Sequence, residues 1–147
     1  MRISKKAEYA LRALVAMARP PARTWSIHEL AAGECIPIKF LEQILLALRR
    51  GGVLNSKRGV GGGYTLVRPP DEVRLGEVVA IFDGALAPIP CAAERPGERC
   101  SCPDPRTCPL RMMMTGVRKE IAALMDSKTI EDMVKLGAGA QAMAFEI

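Results

Sequence analysis

The sequence has a single histidine, His28, among its 147 residues, and neither a G-x-G-x-x-G nor a G-x-x-x-x-G-K-[ST] loop. Without an evident nucleophile and orienting base, or a backbone cradle for phosphates, little remains from which to build a catalytic site. No apolar run approaches the roughly eighteen residues needed to cross a bilayer, and the first residues lack the apolar core of a secretion signal. These absences lead to the expectation of a cytoplasmic chain that is neither an enzyme nor a membrane protein. Five cysteines are present, but none forms the C-x2-C knuckles usual for zinc. A reducing compartment disfavours a disulfide framework, which leaves metal or redox chemistry as the default.

What is present is organised around residues 37–50, PIKFLEQILLALRR. Phe40, Leu41, Ile44, Leu45 and Leu48 recur at three and four residues, so a helix here buries one stripe. Lys39, Glu42, Gln43, Arg49 and Arg50 lie off that stripe, and Pro37 fits the first turn, where its missing N–H costs nothing. Gly51 and Gly52 stop the helix. Upstream, SIHELAAGECI reads as a short helix with Ser26 as cap, Glu29 completing a capping box, and an end at Gly33. Two short helices joined by a tight turn, the second with polar side chains able to reach base edges, make a helix-turn-helix.

Charge is distributed unevenly. Residues 1–74 hold 13 Lys+Arg against 6 Asp+Glu, a net of +7, while the remainder holds 8 against 10, a net of −2. The basic half contains the helix pair, and a phosphate backbone supplies the complementary field. In front of the pair, MRISKKAEYALRALVAMA has helical periodicity, with Ser4 available as cap and Pro20 and Pro21 as its end. Behind it, VLNSKRGVGGGYTLV reads as two short strands around a glycine-rich tip. A tip with Lys57 and Arg58 and no bulky side chains suits close approach to a duplex backbone or minor groove, as the wing of a winged helix-turn-helix.

LGEVVAIFDG, residues 75–84, reads as a short helix closing this unit. From Ala85 to Pro109 the chain becomes proline-rich and carries four of the five cysteines, and a connection of that length suggests that something other than packing holds it. Leu110, Met113, Met114, Val117, Ile121, Leu124 and Met125 then mark a long amphipathic helix. Its apolar face exceeds the needs of the winged unit, so it reads as a dimerisation helix. A last short helix is expected from Ile130 to Leu136, capped at Thr129, followed by a tail, 137–147, expected to be disordered. Cys91, Cys100, Cys102 and Cys108 follow C-x8-C-x-C-x5-C, a spacing that leaves an iron-sulfur cluster, zinc, reactive thiols and unligated cysteines all open. Cys35, at the turn of the helix pair, is expected to be a small buried residue.

Taken in order, MRISKKAEYALRAL, FLEQIL, KRGVGGGYTL, LGEVVAIFDG and the closing C-x5-C before a long helix resemble the IscR and NsrR type of winged-helix regulators, the Rrf-two family, over residues 1–136. The resemblance implies a mainly α fold with a small β-hairpin wing, a homodimer, and binding to double-stranded DNA. By position, it implies that Glu42 and Gln43 read bases with Lys39 and Phe40 beside them, and that Arg58 and Gly59 enter the minor groove. It also implies that Cys91, Cys102 and Cys108 ligate a two-iron or four-iron cluster. Cys100 is extra and stands as a replacement for Cys102 or as a fourth ligand. Some members have a histidine three residues after the last cysteine, where this chain has Arg111. Others take a carboxylate from the partner's opening helix, a role matched by Glu8, whose alternative is pairing with Arg12 at i, i+4.

The organisation expected is a winged helix-turn-helix over 1–84, a cysteine-rich loop over 85–109, and a dimerisation helix with a short terminal helix over 110–136. The function expected is a DNA-binding repressor or activator sensing iron-sulfur status, redox state or nitric oxide. The alternatives are the same fold with thiol or zinc sensing, and an interaction module that binds a regulatory protein partner, an enzyme of cysteine metabolism.

Overall fold

The structure is a computed structural model that describes residues 1–93 and 100–145. The expectations for the middle of the cysteine loop, 94–99, and for the last two residues fall outside the described residues. The elements run α1 (Lys5–Ala18), α2 (Ile27–Glu34), α3 (Ile38–Arg50), β1 (Leu54–Lys57), β2 (Gly63–Leu66), α4 (Leu75–Asp83), α5 (Pro109–Asp126) and α6 (Ile130–Phe145), with short 3-10 turns at Pro70–Glu72 and Pro90–Ala92. Among the described residues, no helix is long and apolar enough to cross a membrane.

α1 is the central helix. Ala7, Ala10, Ala13 and Leu14 are fully buried, and the three alanines let α3, α4 and α6 pack close around it. Leu41, Ile44, Leu45 and Leu48 of α3 are fully buried in the same core as Leu30, Val53, Val78 and Ile130. Burying each leucine contributes about 1.5–3 kcal/mol, and that term, more than local propensity, fixes the rotation of α3 about its axis. Caps set the helix starts. Ser4 Oγ accepts from the Ala7 N–H at 3.1 Å. At α2, Ser26 Oγ accepts from the Glu29 N–H at 3.2 Å while Glu29 Oε2 accepts from the Ser26 N–H at 2.9 Å. Thr129 and Asp132 repeat this reciprocal pattern at α6.

The chain passes from α2 to α3 differently from expectation. α2 continues one residue beyond Gly33, and Cys35 adopts the left-handed conformation, φ 52°. The Ile36 N–H returns to the Ala31 carbonyl at 3.0 Å, and Ile36 is buried at 3% exposure. Because the reversal sends Ile36 inward, Cys35 is exposed, which corrects the expectation that it is buried. After α3, Gly52 takes the left-handed conformation, φ 75°. Gly51 has an ordinary backbone, φ −76°, and a Cβ there would lie 2.5 Å from Ile81 Cδ1, the movable end of that side chain.

β1 and β2 form an antiparallel hairpin with Leu54 opposite Leu66 and Lys57 opposite Gly63. Trp25 extends it. Its N–H donates to the Tyr64 carbonyl at 2.9 Å, and its carbonyl accepts from the Tyr64 N–H at 2.8 Å. This bridge ties the hairpin to the residue preceding the α2 cap. Further down, Arg68 bonds the Glu72 carbonyl at 3.1 Å and ion-pairs with Glu77 of α4.

The C-terminal region departs most from expectation. α6 runs to Phe145, nine residues beyond Leu136, so the expected disordered tail is helical as far as it is described. Gly137 and Gly139 suggest a stop, yet Ala138, Ala140, Ala142 and Ala144 are strong helix formers that carry the helix through. α5 projects an apolar face: Leu110, Met112, Met113 and Leu124 are each more than half exposed, while Met125 packs against the core.

Candidate nucleic-acid interface and cysteine loop

The burial that fixes α3 also determines what it presents. With Leu41, Ile44, Leu45 and Leu48 inward, Lys39, Glu42, Gln43, Leu46, Arg49 and Arg50 form its exposed side. Lys39, Glu42 and Gln43 make no hydrogen bond or ion pair among the described residues, so their donors and acceptors face outward. Leu46, 42% exposed, is an apolar member of this side that the sequence reading did not single out. Phe40 sits apart, half-buried at the seam of α1 and α3, its ring edge-on to Tyr9 with centroids 5.7 Å apart. Lys5 Nζ and the Arg12 guanidinium lie 5.4 and 5.5 Å from the Tyr9 ring centre. Phe40 therefore braces the start of α3 and is not part of its protruding row.

The hairpin tip, 58–62, is closed by a hydrogen bond from the Gly62 N–H to the Gly59 carbonyl at 3.0 Å. Arg58, Gly59 and Val60 are exposed there. The Trp25 bridge and the Arg68–Glu77 pair hold the hairpin to both α2 and α4, so its cationic tip is carried on a fixed mount. Trp25 is itself covered by Arg23, whose guanidinium carbon stands 3.6 Å from the ring centre.

Glu8 pairs with Lys5 at 2.8 Å and with Arg12 at 4.0 Å. The i, i+4 pairing with Arg12 is thus present on the α1 surface. Arg12 reaches on to Glu34 Oε2 at 3.5 Å and donates to the Glu34 carbonyl, linking α1 to the turn of the helix pair. His28 is exposed on α2, remote in sequence from the four cysteines of the loop.

In the cysteine loop, Cys91 lies in the Pro90–Ala92 turn and Cys108 precedes α5 as its N-cap residue. Both are half-buried free thiols. Cys100 and Cys102 are joined as a disulfide with Cα atoms 5.4 Å apart. Among the described residues, no three His, Cys, Asp or Glu side chains are gathered so as to hold a metal ion. The expected ligand set Cys91, Cys102 and Cys108 is therefore not assembled as placed, because the Cys102 sulfur is engaged with Cys100. The donors have the softness an iron-sulfur cluster needs but not the arrangement. Arg111, three residues after Cys108, donates from its side chain to two backbone carbonyls of the loop.

Residues 3–136 match the family described as Rrf2, iron-dependent transcriptional regulator. A protein of Rhodobacter capsulatus described as an rrf2-like HTH-type transcriptional regulator is 39% identical over 140 residues, covering 92% of this chain and 93% of its own length. The solved structure of CymR, the global cysteine regulator of B. subtilis, is similar with a TM-score of 0.74 at 26% identity, covering 92% of this chain and 98% of its own. The structure of T. potens IscR also superposes with a TM-score of 0.74, at 25% identity, covering 96% and 91%.

Proposed function

The chain belongs to the Rrf2 family of transcriptional regulators, and from that premise we propose that it acts as a homodimer that reads double-stranded DNA through α3 and the hairpin wing, with the cysteine loop as its sensor. It is a regulator of transcription, not an enzyme. The observation that carries the DNA-reading assignment is the outward, unpaired row Lys39, Glu42 and Gln43 on a helix whose rotation is fixed by four buried side chains. Glu42 is suited to accept from a cytosine amino group and Gln43 to bond adenine, both from the major groove. Arg58 and Gly59 at the wing tip are suited to the adjacent backbone or minor groove, where a small residue beside a cation allows close approach.

The homodimer is supported by the apolar face of α5. Leu110, Met112, Met113 and Leu124 lie along one helix with little of the chain against them, and a second copy covers such a face through a two-fold axis. In that arrangement, the two α3 helices enter successive major-groove turns, and the operator carries matching symmetry.

For the sensor, the first reading is an iron-sulfur cluster on Cys91, Cys102 and Cys108, with Cys100 or Glu8 as the fourth ligand. Thiolate donors and the family's iron dependence support it. It requires Cys102 to be free of Cys100. The second reading is a dithiol switch at Cys100 and Cys102, favoured by their pairing: two thiols give up two protons and two electrons to an oxidant to form the disulfide, and a cellular dithiol reverses it. Anaerobic purification tests both. Brown protein with iron and acid-labile sulfide, lost on Cys91→Ala or Cys108→Ala, supports the cluster. Colourless protein whose DNA affinity follows the Cys100–Cys102 redox state rejects it in favour of the switch.

A further inference from the structure

Residues 84–108 join α4 to α5, and so long a connection in a compact unit needs something to fix it. Its cysteines lie on three separate pieces: the Pro90–Ala92 turn with Cys91, the stretch with Cys100 and Cys102, and Cys108 at the head of α5. Arg111, in the first turn of α5, reaches both flanks at once. Its Nε donates to the Cys91 carbonyl at 3.0 Å and its Nη1 donates to the Pro105 carbonyl at 3.1 Å. A cation in a helix's first turn meets the positive end of the helix dipole, and no acidic residue accompanies it there. The position is poor for arginine on local grounds, so the two carbonyls supply the compensation, through a rigid fork that a lysine cannot reproduce. Ala92, next to Cys91, is 3% exposed, so this arm of the loop is docked against the protein.

We propose that Arg111 is a positioning residue that assembles the cysteine loop on the head of α5 without the help of a metal, holding the Cys91 arm and the Pro105 arm to one guanidinium. A guanidinium has no lone pair to offer a metal, so at this position the chain carries a staple and not a ligand. The inference takes the loop to be the sensor, but its test reads the loop alone. The full chain is reduced and treated with a chelator under anaerobic conditions, and alkylation of each cysteine by iodoacetamide is followed by peptide mass spectrometry. Arg111→Ala is expected to raise the Cys91 rate by about tenfold, as fits the loss of a charge-assisted hydrogen bond. Cys108 and Cys35 should keep their rates, since Cys108 is held by α5 through the Met112 N–H at 3.1 Å and Cys35 is already exposed. Arg111→Lys should fall between parent and alanine variant. A Cys91 rate unchanged in Arg111→Ala overturns the proposal, and so does a rise shared by Cys35 and Cys108, which marks general loosening. If the Cys91 rate rises selectively while the parent protein shows neither iron nor a redox response, the staple stands and the sensor reading falls.

Discussion

Gly63→Ala should be far more damaging than its place in an exposed hairpin suggests. Gly63 has φ 148°, in a region that side chains rarely adopt, and an added Cβ would collide with the Trp25 carbonyl, its carbon only 2.8 Å away. Trp25 cannot retreat without breaking its two backbone hydrogen bonds to Tyr64, which mount the wing. Two such bonds are worth about 1 kcal/mol each, and the backbone strain adds about 1 kcal/mol more, for a total near 3 kcal/mol. For a chain of this length, that corresponds to a fall in Tm of about 6–12 °C. Gly61→Ala is the control: its φ is also positive, 72°, but a Cβ there meets nothing within 4 Å, so only the strain of about 1 kcal/mol applies. Thermal unfolding followed by circular dichroism measures both, and DNA affinity at fixed salt reports whether the wing is displaced. If Gly63→Ala costs no more stability than Gly61→Ala, the close approach of Trp25 does not mount the wing.

Three further outcomes follow from the caps, the carboxylates and the α5 face. Ser26→Ala removes one side of the α2 capping box and should cost about 1 kcal/mol in denaturant unfolding, whereas Ser56→Ala on the exposed strand should cost almost nothing. The Ser26 N–H, then Arg23, hold the Glu29 carboxyl below its usual range, and the Thr129 N–H, then its hydroxyl, do the same for Asp132. Folded values below unfolded ones give stability that is complete above the unfolded pKa, about 4, and lost as pH falls through the folded values. Tm should therefore be insensitive to these groups from pH 7 to 5 and drop below about pH 4, with a shallower drop in Glu29→Gln and Asp132→Asn, which remove the titrating carboxyls, as measured by calorimetry. Leu124→Lys and Met113→Lys should convert a dimer to a monomer in light scattering, and a parent protein already monomeric at micromolar concentration would remove the dimer assignment.

Much of the DNA-reading unit was legible because its signals are local. The stripe Leu41, Ile44, Leu45, Leu48 lies within one helix, and the Ser26–Glu29 box spans four residues. What was hidden depends on contacts distant in sequence or on competition between local preferences. The Trp25–Tyr64 bridge joins residues 39 positions apart, and nothing near Trp25 marks it as a strand. Gly33 looked like the end of α2, but the burial of Ile36 moves the left-handed residue to Cys35 and turns its thiol outward. The tail after Leu136 carries no apolar stripe to mark a helix, and its alternating alanines nonetheless extend α6 to Phe145. In the loop, the sequence supplied the thiols and flagged that packing alone would not hold them. It did not reveal that Cys100 would pair with Cys102, or that Arg111 would bind both flanks. Phe40 followed the helical stripe correctly, yet only the fold places Tyr9 against it and takes it out of the outward row.

The central claim is that α3 reads sequence while the wing supplies contact to the backbone. Fluorescence anisotropy with a selected operator and a scrambled duplex, each titrated over a series of salt concentrations, tests it most directly. Glu42→Ala should lose discrimination between the two duplexes while keeping the parent's salt slope, and Arg58→Ala should weaken both and reduce the slope by about one unit. If both variants bind both duplexes as the parent does at every salt concentration, α3 and the wing are not the reading surface.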